Sequence, residues 1–383
     1  MVTHKITIGF LSATPPQDKF SSSGTFHSMA VSLEKAGFAI TWIPAKEASL
    51  AYKLYRKCIK EAVRVIPGLK KHLSLLPNWR AHIIARNVDK KLLRSCDVLF
   101  APMQSIALSL LQTGIPIIYL SDSTFRIMIN YYWFNMPTCD IKALETIEKK
   151  AMDRAYAIVY PSHWAAQSSI KDYRQDPSKI TIAYFGPNLA QDAIKPHTFI
   201  RKEVLQILFV GVEWERKGGE IAVEACKWLN ENGVSARLHI TGIRQLEQRV
   251  CDLPYIKDEG FLNKNNSDDY SKLVHLYESC DCFLLPTIAE CAGICFSEAS
   301  AFGLPCFSHR TGGVEDYIID GETGRLLPLG STGEDFGRAI KEAIVSGKMV
   351  EMSKAARSYY NDTLNWTAWT KSIKGVIESS IHA

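Results

Sequence analysis

The chain has 383 residues, 46% of them hydrophobic and 22% charged, which is the composition of two or three globular domains and excludes a disordered or coiled-coil chain. No run approaches the roughly 18–20 apolar residues that cross a bilayer, and the apolar stretch at residues 6–11 is too short for a signal peptide. Ten cysteines without a CxxC pair are expected of a reduced, cytoplasmic protein without structural zinc, and a net charge of +5 is too mild to imply a nucleic-acid partner.

In chain order, residues 5–12 form an apolar run suited to a buried strand. A Pro/Ser/Gly-rich loop (14–25), a helical pattern (26–36) that stops at Gly37 and a second strand (38–43) follow. A basic, helix-rich insertion occupies about 45–95. Between Ala51 and Cys96 twelve Lys and Arg face only Glu61 and Asp89, so this segment carries +10 and the rest of the chain −5. Its apolar residues Leu54, Ile59, Val63, Ile66, Leu69 and Leu73 interleave with the cations at helical spacing, the pattern of a helix lying on an anionic membrane or of a solvated basic surface. Strands are expected at 97–101, 115–120 and 157–160. Buried strands alternating with helices predict a doubly wound parallel sheet, an α/β fold.

Residues 186–203 contain two prolines and no periodicity, and read as a linker. The alternation then restarts with a strand (206–212), helix (219–230), strand (236–241), helix (269–279), strand (281–285), helix (293–302) and strand (304–308). A second Rossmann-like unit is the consequence, with ligands expected at the carboxyl ends of its strands. A last helix begins near Asn365 and places Trp366 and Trp369 on one face.

Residues 285–327 carry the chemistry. A strand ends, Glu290 lies in the turn, and a helix opens near Gly293, so the backbone N–H groups of Gly293, Ile294 and Cys295 form an anion site. Glu298 follows Ile294 by one turn on the same face, where a carboxylate can accept both hydroxyls of a ribose diol. Glu290 would flank a sugar attached to the phosphate. The ligand expected is a nucleotide sugar. Gly24, in the first βα loop, would let phosphates approach the backbone or simply make a turn. Asp122, just after a strand, would orient an acceptor hydroxyl or cap a helix. Glu298 and Lys217 also admit plain surface roles.

Glu290 and Glu298 in a Glu-x7-Glu spacing, Gly293 between them, Gly312–Gly313 beyond and Lys217–Gly218 after the strand LFVG resemble the donor signature of family 4 retaining glycosyltransferases of bacterial type. YPSHWAAQSSI (160–170), SDSTF (121–125) and FGPNL (185–189) fit the same family. The resemblance implies a GT-B fold, two Rossmann-like domains facing across a cleft with the C-terminal helix crossing back. An acceptor domain would span 1–193 plus 360–383, and a donor domain 194–359.

It also implies retaining transfer from a nucleotide sugar to a glycan or lipid-linked acceptor, without a metal or other cofactor. Lys217 would contact the pyrophosphate, Arg216 would supply charge that Val212 lacks, and Glu290, Lys217 and Asp122 would be catalytic. The expected partners are that donor and acceptor, with peripheral contact to an anionic membrane from the cytoplasmic side. No Asp-x-Asp occurs in the chain, so Lys217, Arg216 and the helix N-terminus would neutralise the phosphates. A sugar-nucleotide epimerase of the same fold and a non-catalytic sugar-nucleotide-binding subunit remain open alternatives.

Overall fold

The computed structural model describes residues 5–18, 24–66 and 68–382. It divides into two compact units, Met1–Ala183 with Thr370–Ala383, and Tyr184–Trp369. Part of the loop expected at 14–25 falls at residues 19–23, outside the described residues.

The first unit holds a parallel sheet of β1 (Thr7–Ser12), β2 (Ala39–Pro44), β3 (Val98–Pro102), β4 (Ile117–Leu120), β5 (Ala157–Tyr160) and β6 (Ile180–Ile182), in the order β2-β1-β3-β4-β5-β6. Every residue of β3, β4 and β5 is buried, because helices cover both faces and leave no polar side to alternate with. The five expected strands are present, with ends shifted by one or two residues. The three-residue edge strand β6 is only half-buried and has no hydrophobic run to announce it.

The basic insertion folds as helices Leu50–Val65, Pro77–Asn87 and Lys90–Arg94. Tyr52 and Ile59 are the buried anchors of the first of these. The Tyr52 hydroxyl donates to the Leu75 carbonyl at 2.9 Å, its ring meets Trp79 edge-on at 5.1 Å, and the Tyr55 hydroxyl donates to the Ser74 carbonyl. These contacts leave most of the helix surface to solvent.

The second unit is again fully parallel: β7 (Leu205–Val210), β8 (Ala236–Thr241), β9 (Ile256–Gly260), β10 (Cys282–Leu284), β11 (Cys306–His309) and β12 (Gly324–Leu327), ordered β12-β11-β10-β7-β8-β9. From β7 the chain winds one way through β8 and β9, and from β10 the other way through β11 and β12. The connections after β7 and β10 therefore lead to opposite ends of the sheet, which makes the carboxyl ends of these two strands the expected ligand site. Strand β9 was not expected, because IKDEG is an edge strand with mostly polar side chains.

The segment 184–194 packs into the second unit. The Phe185 N–H donates to the Tyr317 hydroxyl (3.0 Å), the Ser297 hydroxyl to the Phe185 carbonyl (2.7 Å), and the Ala190 N–H to the Tyr270 hydroxyl (2.8 Å). The junction between the units thus lies at 183/184, upstream of the expected 193/194. At the other end, helix Trp366–Ile381 starts in the second unit and its residues from Thr370 onward belong to the first. Trp366 and Trp369 pack edge-on at 5.4 Å, and the Trp366 indole donates to the Pro187 carbonyl. Among the described residues no helix is long and apolar enough to cross a membrane.

Candidate functional site

Two loops meet at the carboxyl ends of β7 and β10. The first, after β7, turns through Gly218, whose φ of +73° lies in the left-handed region. A Cβ there would stand 2.1 Å from the Pro286 carbonyl oxygen, so glycine is required both by conformation and by close approach. The close approach brings Lys217 to the second loop. The Ile288 N–H and Thr287 hydroxyl donate to the Arg216 carbonyl, and the Arg216 guanidinium donates to the Ala289 carbonyl at 2.9 Å. Arg216 also pairs with Glu213. It acts here as a clasp between the loops.

Lys217 donates to Glu290 in a charge-assisted hydrogen bond, and both side chains are largely buried. Burial pulls the Lys217 ammonium down, but the Glu290 carboxylate outweighs it and the net shift is upward. Lys217 is thus a cation at physiological pH, fixed at the mouth of the crevice. The Gly313 N–H in turn donates to the Glu290 carbonyl, and the Thr311 hydroxyl to the Ile288 carbonyl, so the double glycine after β11 holds the Glu290 turn in place.

Helix Ile294–Phe302 begins at Gly293. Its first intrahelical bonds run from the Phe296 and Ser297 N–H groups to the Gly293 carbonyl, and the Ile294 and Cys295 amides precede them. A Cβ on Gly293 would meet the Phe296 ring at 2.2 Å. Burial pushes the Cys295 thiol up to about 12, so it is protonated at neutral pH and suited neither to nucleophilic attack nor to metal ligation. Among the described residues no group of three or more His, Cys, Asp or Glu side chains is placed to hold a metal ion.

Glu298 is where the sequence expects it, one turn into that helix, but only 2% of its surface is exposed. It accepts from the Tyr277 hydroxyl (2.9 Å), the Lys264 ammonium (2.5 Å) and the Asn188 N–H (3.3 Å). Tyr277 is stacked between Phe302 and Phe283. Sequence reasoning missed Tyr277 and Lys264. Tyr277 sits at a helical core position, and Lys264 lies in a polar loop after β9 with no periodic signal. Asn188 belongs to the FGPNL motif, whose connection to Glu298 only the packing reveals.

The structure therefore gathers Arg216, Lys217, Glu290, Gly293, Ile294, Cys295 and Glu298 around one crevice of the second unit. Gly24 and Asp122 lie in the first unit. Gly24 precedes helix Thr25–Lys35 with a left-handed φ of +90°, a reason for glycine that needs no ligand. Asp122 follows β4 and accepts from the Ser123 hydroxyl, whereas the residue at the start of the next helical turn is Thr124. A cavity of about 400 Å³ opens between the loops after β7 and β8, beside Trp214, Arg216, Ile243 and Leu246. Glu213, Glu215 and Glu247 also line it, the first paired with Arg216 and the last with Arg249, while Lys217 and Glu290 are not among its lining residues.

Residues 190–359 match the family model described as glycosyl transferases group 1. A putative colanic acid biosynthesis glycosyltransferase, WcaL of Salmonella typhimurium, is 24% identical over 217 residues, 53% of this chain and 52% of that protein. The amylovoran biosynthesis glycosyltransferase AmsK of Erwinia amylovora is 28% identical over 37% of this chain and 38% of its own length. The chain thus spans about half the length, or less, of the curated relatives it matches. Among solved structures, a glycosyltransferase of Rickettsia africae superposes with a TM-score of 0.65 at 16% identity, covering 99% of both chains. HepE of Anabaena in complex with UDP and glucose gives 0.64 at 13% identity, covering 98% of this chain and 100% of that one. The chain has the GT-B fold, and its residues 190–359 are related to the group 1 glycosyl transferases.

Proposed function

We propose that this protein is a retaining, metal-independent glycosyltransferase that moves a sugar from a nucleotide-sugar donor to a glycan or lipid-linked acceptor. The observation that carries the reading is the Lys217–Glu290 pair at the start of helix Ile294–Phe302, with Glu298 one turn further in. Lys217 and the helix amides suit a pyrophosphate, and Glu298 suits a ribose. In the step itself the bond from the anomeric carbon to the phosphate oxygen breaks as the acceptor oxygen bonds that carbon from the same face. The departing phosphate takes the acceptor proton. Glu290, beside the sugar, stabilises the positive charge that develops on the ring, and its exchange of Lys217 for the donor would free the ammonium for the phosphate.

On this reading the second unit, Tyr184–Trp369, binds the donor. The first unit, Met1–Ala183 with Thr370–Ala383, binds the acceptor, with Asp122 orienting its hydroxyl and Gly24 near the donor phosphates. The UDP and glucose bound by HepE favour a uridine nucleotide, and the polysaccharide pathways named for WcaL and AmsK favour a glycan acceptor. A thermal-shift screen of UDP, GDP, ADP and their sugars tests the donor half. A bound diphosphate at about 100 times its Kd adds about 2.7 kcal/mol. No shift with any of them would remove the donor assignment, and an isomerised sugar without transfer would turn the reading to an epimerase.

The basic insertion favours a membrane-proximal acceptor. On helix Leu50–Val65, Leu50, Leu54, Cys58 and Val65 form one stripe, with Leu50, Leu54 and Val65 at 75%, 54% and 72% exposure. Lys53, Lys57, Lys60 and Arg64 form the adjacent stripe, and the buried anchors Tyr52 and Ile59 lie away from both. Exposed apolar side chains bordered by cations on a cytoplasmic protein fit the inner face of an anionic membrane.

A further inference from the structure

We propose that residues 131–134, Tyr-Tyr-Trp-Phe, form an acceptor subsite on which a hexopyranose ring of the acceptor glycan stacks. The proposal rests on the reading of the first unit as an acceptor domain.

The run lies in the segment after β4, at the carboxyl end of the first sheet and a few residues beyond Asp122. Trp133 and Phe134 are 40% and 52% exposed, although their neighbours Phe125 and Met128 are buried. The exposure does not come from a loose loop. The N–H groups of Tyr131, Tyr132 and Trp133 all donate to the Met128 carbonyl, at 3.2, 3.0 and 3.0 Å, and the Asn130 N–H donates back to the Trp133 carbonyl. Asn130 and Asn135 adopt left-handed φ values of +58° and +56°, one at each end of the run. The Trp133 ring rests on Phe125 at 4.9 Å, and the Tyr131 ring on Trp164 at 5.2 Å. The fold thus seats the Trp133 ring on Phe125 within a hydrogen-bonded turn and leaves Trp133 and Phe134 substantially exposed.

A rigid aromatic face binds at low entropic cost, since such side chains have few rotamers to lose. Its negative π-face matches the slightly positive C–H groups on one side of a pyranose. Polar groups for the hydroxyls stand nearby: the Arg126 guanidinium pairs with the Glu145 carboxylate at 2.5 Å, with 58% and 26% of their side chains exposed. That pair supplies donors and acceptors together, as a polyol needs. A lipid surface would select differently. Lys53, Lys57 and Lys60 border the exposed apolar stripe of helix Leu50–Val65, where among the described residues only Arg64 of the basic stripe pairs, with Glu61, whereas here the bordering charges are paired and the other neighbours are asparagines.

The test is binding of the full chain to an array of bacterial capsular and core oligosaccharides, with Trp133→Ala/Phe134→Ala, Trp133→Tyr/Phe134→Tyr and Trp79→Ala as variants. At least one hexose-containing glycan is expected to bind. The alanine pair should weaken it at least tenfold, the tyrosine pair should keep it within about threefold, and Trp79→Ala should leave it unchanged. UDP affinity, read by calorimetry, should stay within twofold in all three, which separates failure of this subsite from failure of the donor assignment. Retention of glycan by the alanine pair, or no glycan bound by the wild type, overturns the proposal. So does loss of binding to phosphatidylglycerol vesicles in the alanine pair while glycan binding persists, which would make the run a lipid contact.

Discussion

The ammonium of Lys264 lies 2.5 Å from the Glu298 carboxylate, so the group assigned to the donor ribose already holds a cation. The Tyr277 hydroxyl satisfies the other carboxylate oxygen. Of these partners Lys264 is the one that can leave, because 30% of its side chain is exposed and it sits on a loop, whereas Tyr277 is locked among aromatic rings.

Glu298→Gln should therefore weaken UDP binding about tenfold or more and raise the donor KM, with little change in kcat. Lys264→Met should lower stability by about 2 kcal/mol, since it leaves a buried carboxylate with neutral donors only. UDP affinity should hold or tighten in that variant. Calorimetry with UDP and urea unfolding read both. If Lys264→Met loses UDP as badly as Glu298→Gln, the lysine is itself a ligand of the nucleotide.

Glu290 and Lys217 neutralise one another, which gives their variants opposite signatures. Lys217→Ala removes the cation expected on the pyrophosphate, and should cost UDP affinity by about 100-fold. Glu290→Gln releases that cation, so UDP should bind no more weakly than to the wild type, while kcat falls by about 10²-fold or more. Loss of UDP affinity in Glu290→Gln with full turnover would reverse the two roles.

Glu148 gives the first unit a pH dependence. It is 4% exposed and accepts from the Phe125 N–H at 2.6 Å, with the Tyr119 and Tyr173 hydroxyls beside it. Burial raises its carboxyl to about 7, above the usual carboxylate range. Between pH ~4.5 and ~7 the native state keeps a proton that the unfolded chain gives up, so this contribution to stability is full below that window and lost as pH rises through it. The loss is on the order of 3 kcal/mol. Glu148→Gln should show less of a fall between pH 5 and pH 8 than the wild type in urea unfolding. Equal slopes for the two proteins would count against the raised value.

The exposed stripe on helix Leu50–Val65 predicts binding to vesicles containing phosphatidylglycerol, but not to purely zwitterionic ones, in a flotation assay. Replacing Lys53, Lys57, Lys60 and Arg64 with Gln should abolish it, and Leu50→Ser with Leu54→Ser should weaken it several-fold, with unchanged thermal stability. Binding that is insensitive to both salt and these changes would place any membrane contact elsewhere.

Sequence alone reveals the architecture, because strands buried on both faces must be continuous apolar runs, and β3, β4, β5 and β7 read as such. It also determined the turn at Glu290 and the helix opening at Gly293, where glycine spacing and the end of a strand leave few alternatives. Short or polar edge strands such as β6 and β9 stayed hidden, since an edge position asks little of its side chains. What the charged groups do depends on packing between distant segments. Lys217 meets Glu290 because Gly218 lets one loop touch another at Pro286, and Glu298 meets Lys264, Tyr277 and Asn188 because distant loops converge on one helix. Burial turns each of these into a matter of pairing, as a desolvated charge requires a partner and the partner's place in the sequence is set by packing rather than by spacing.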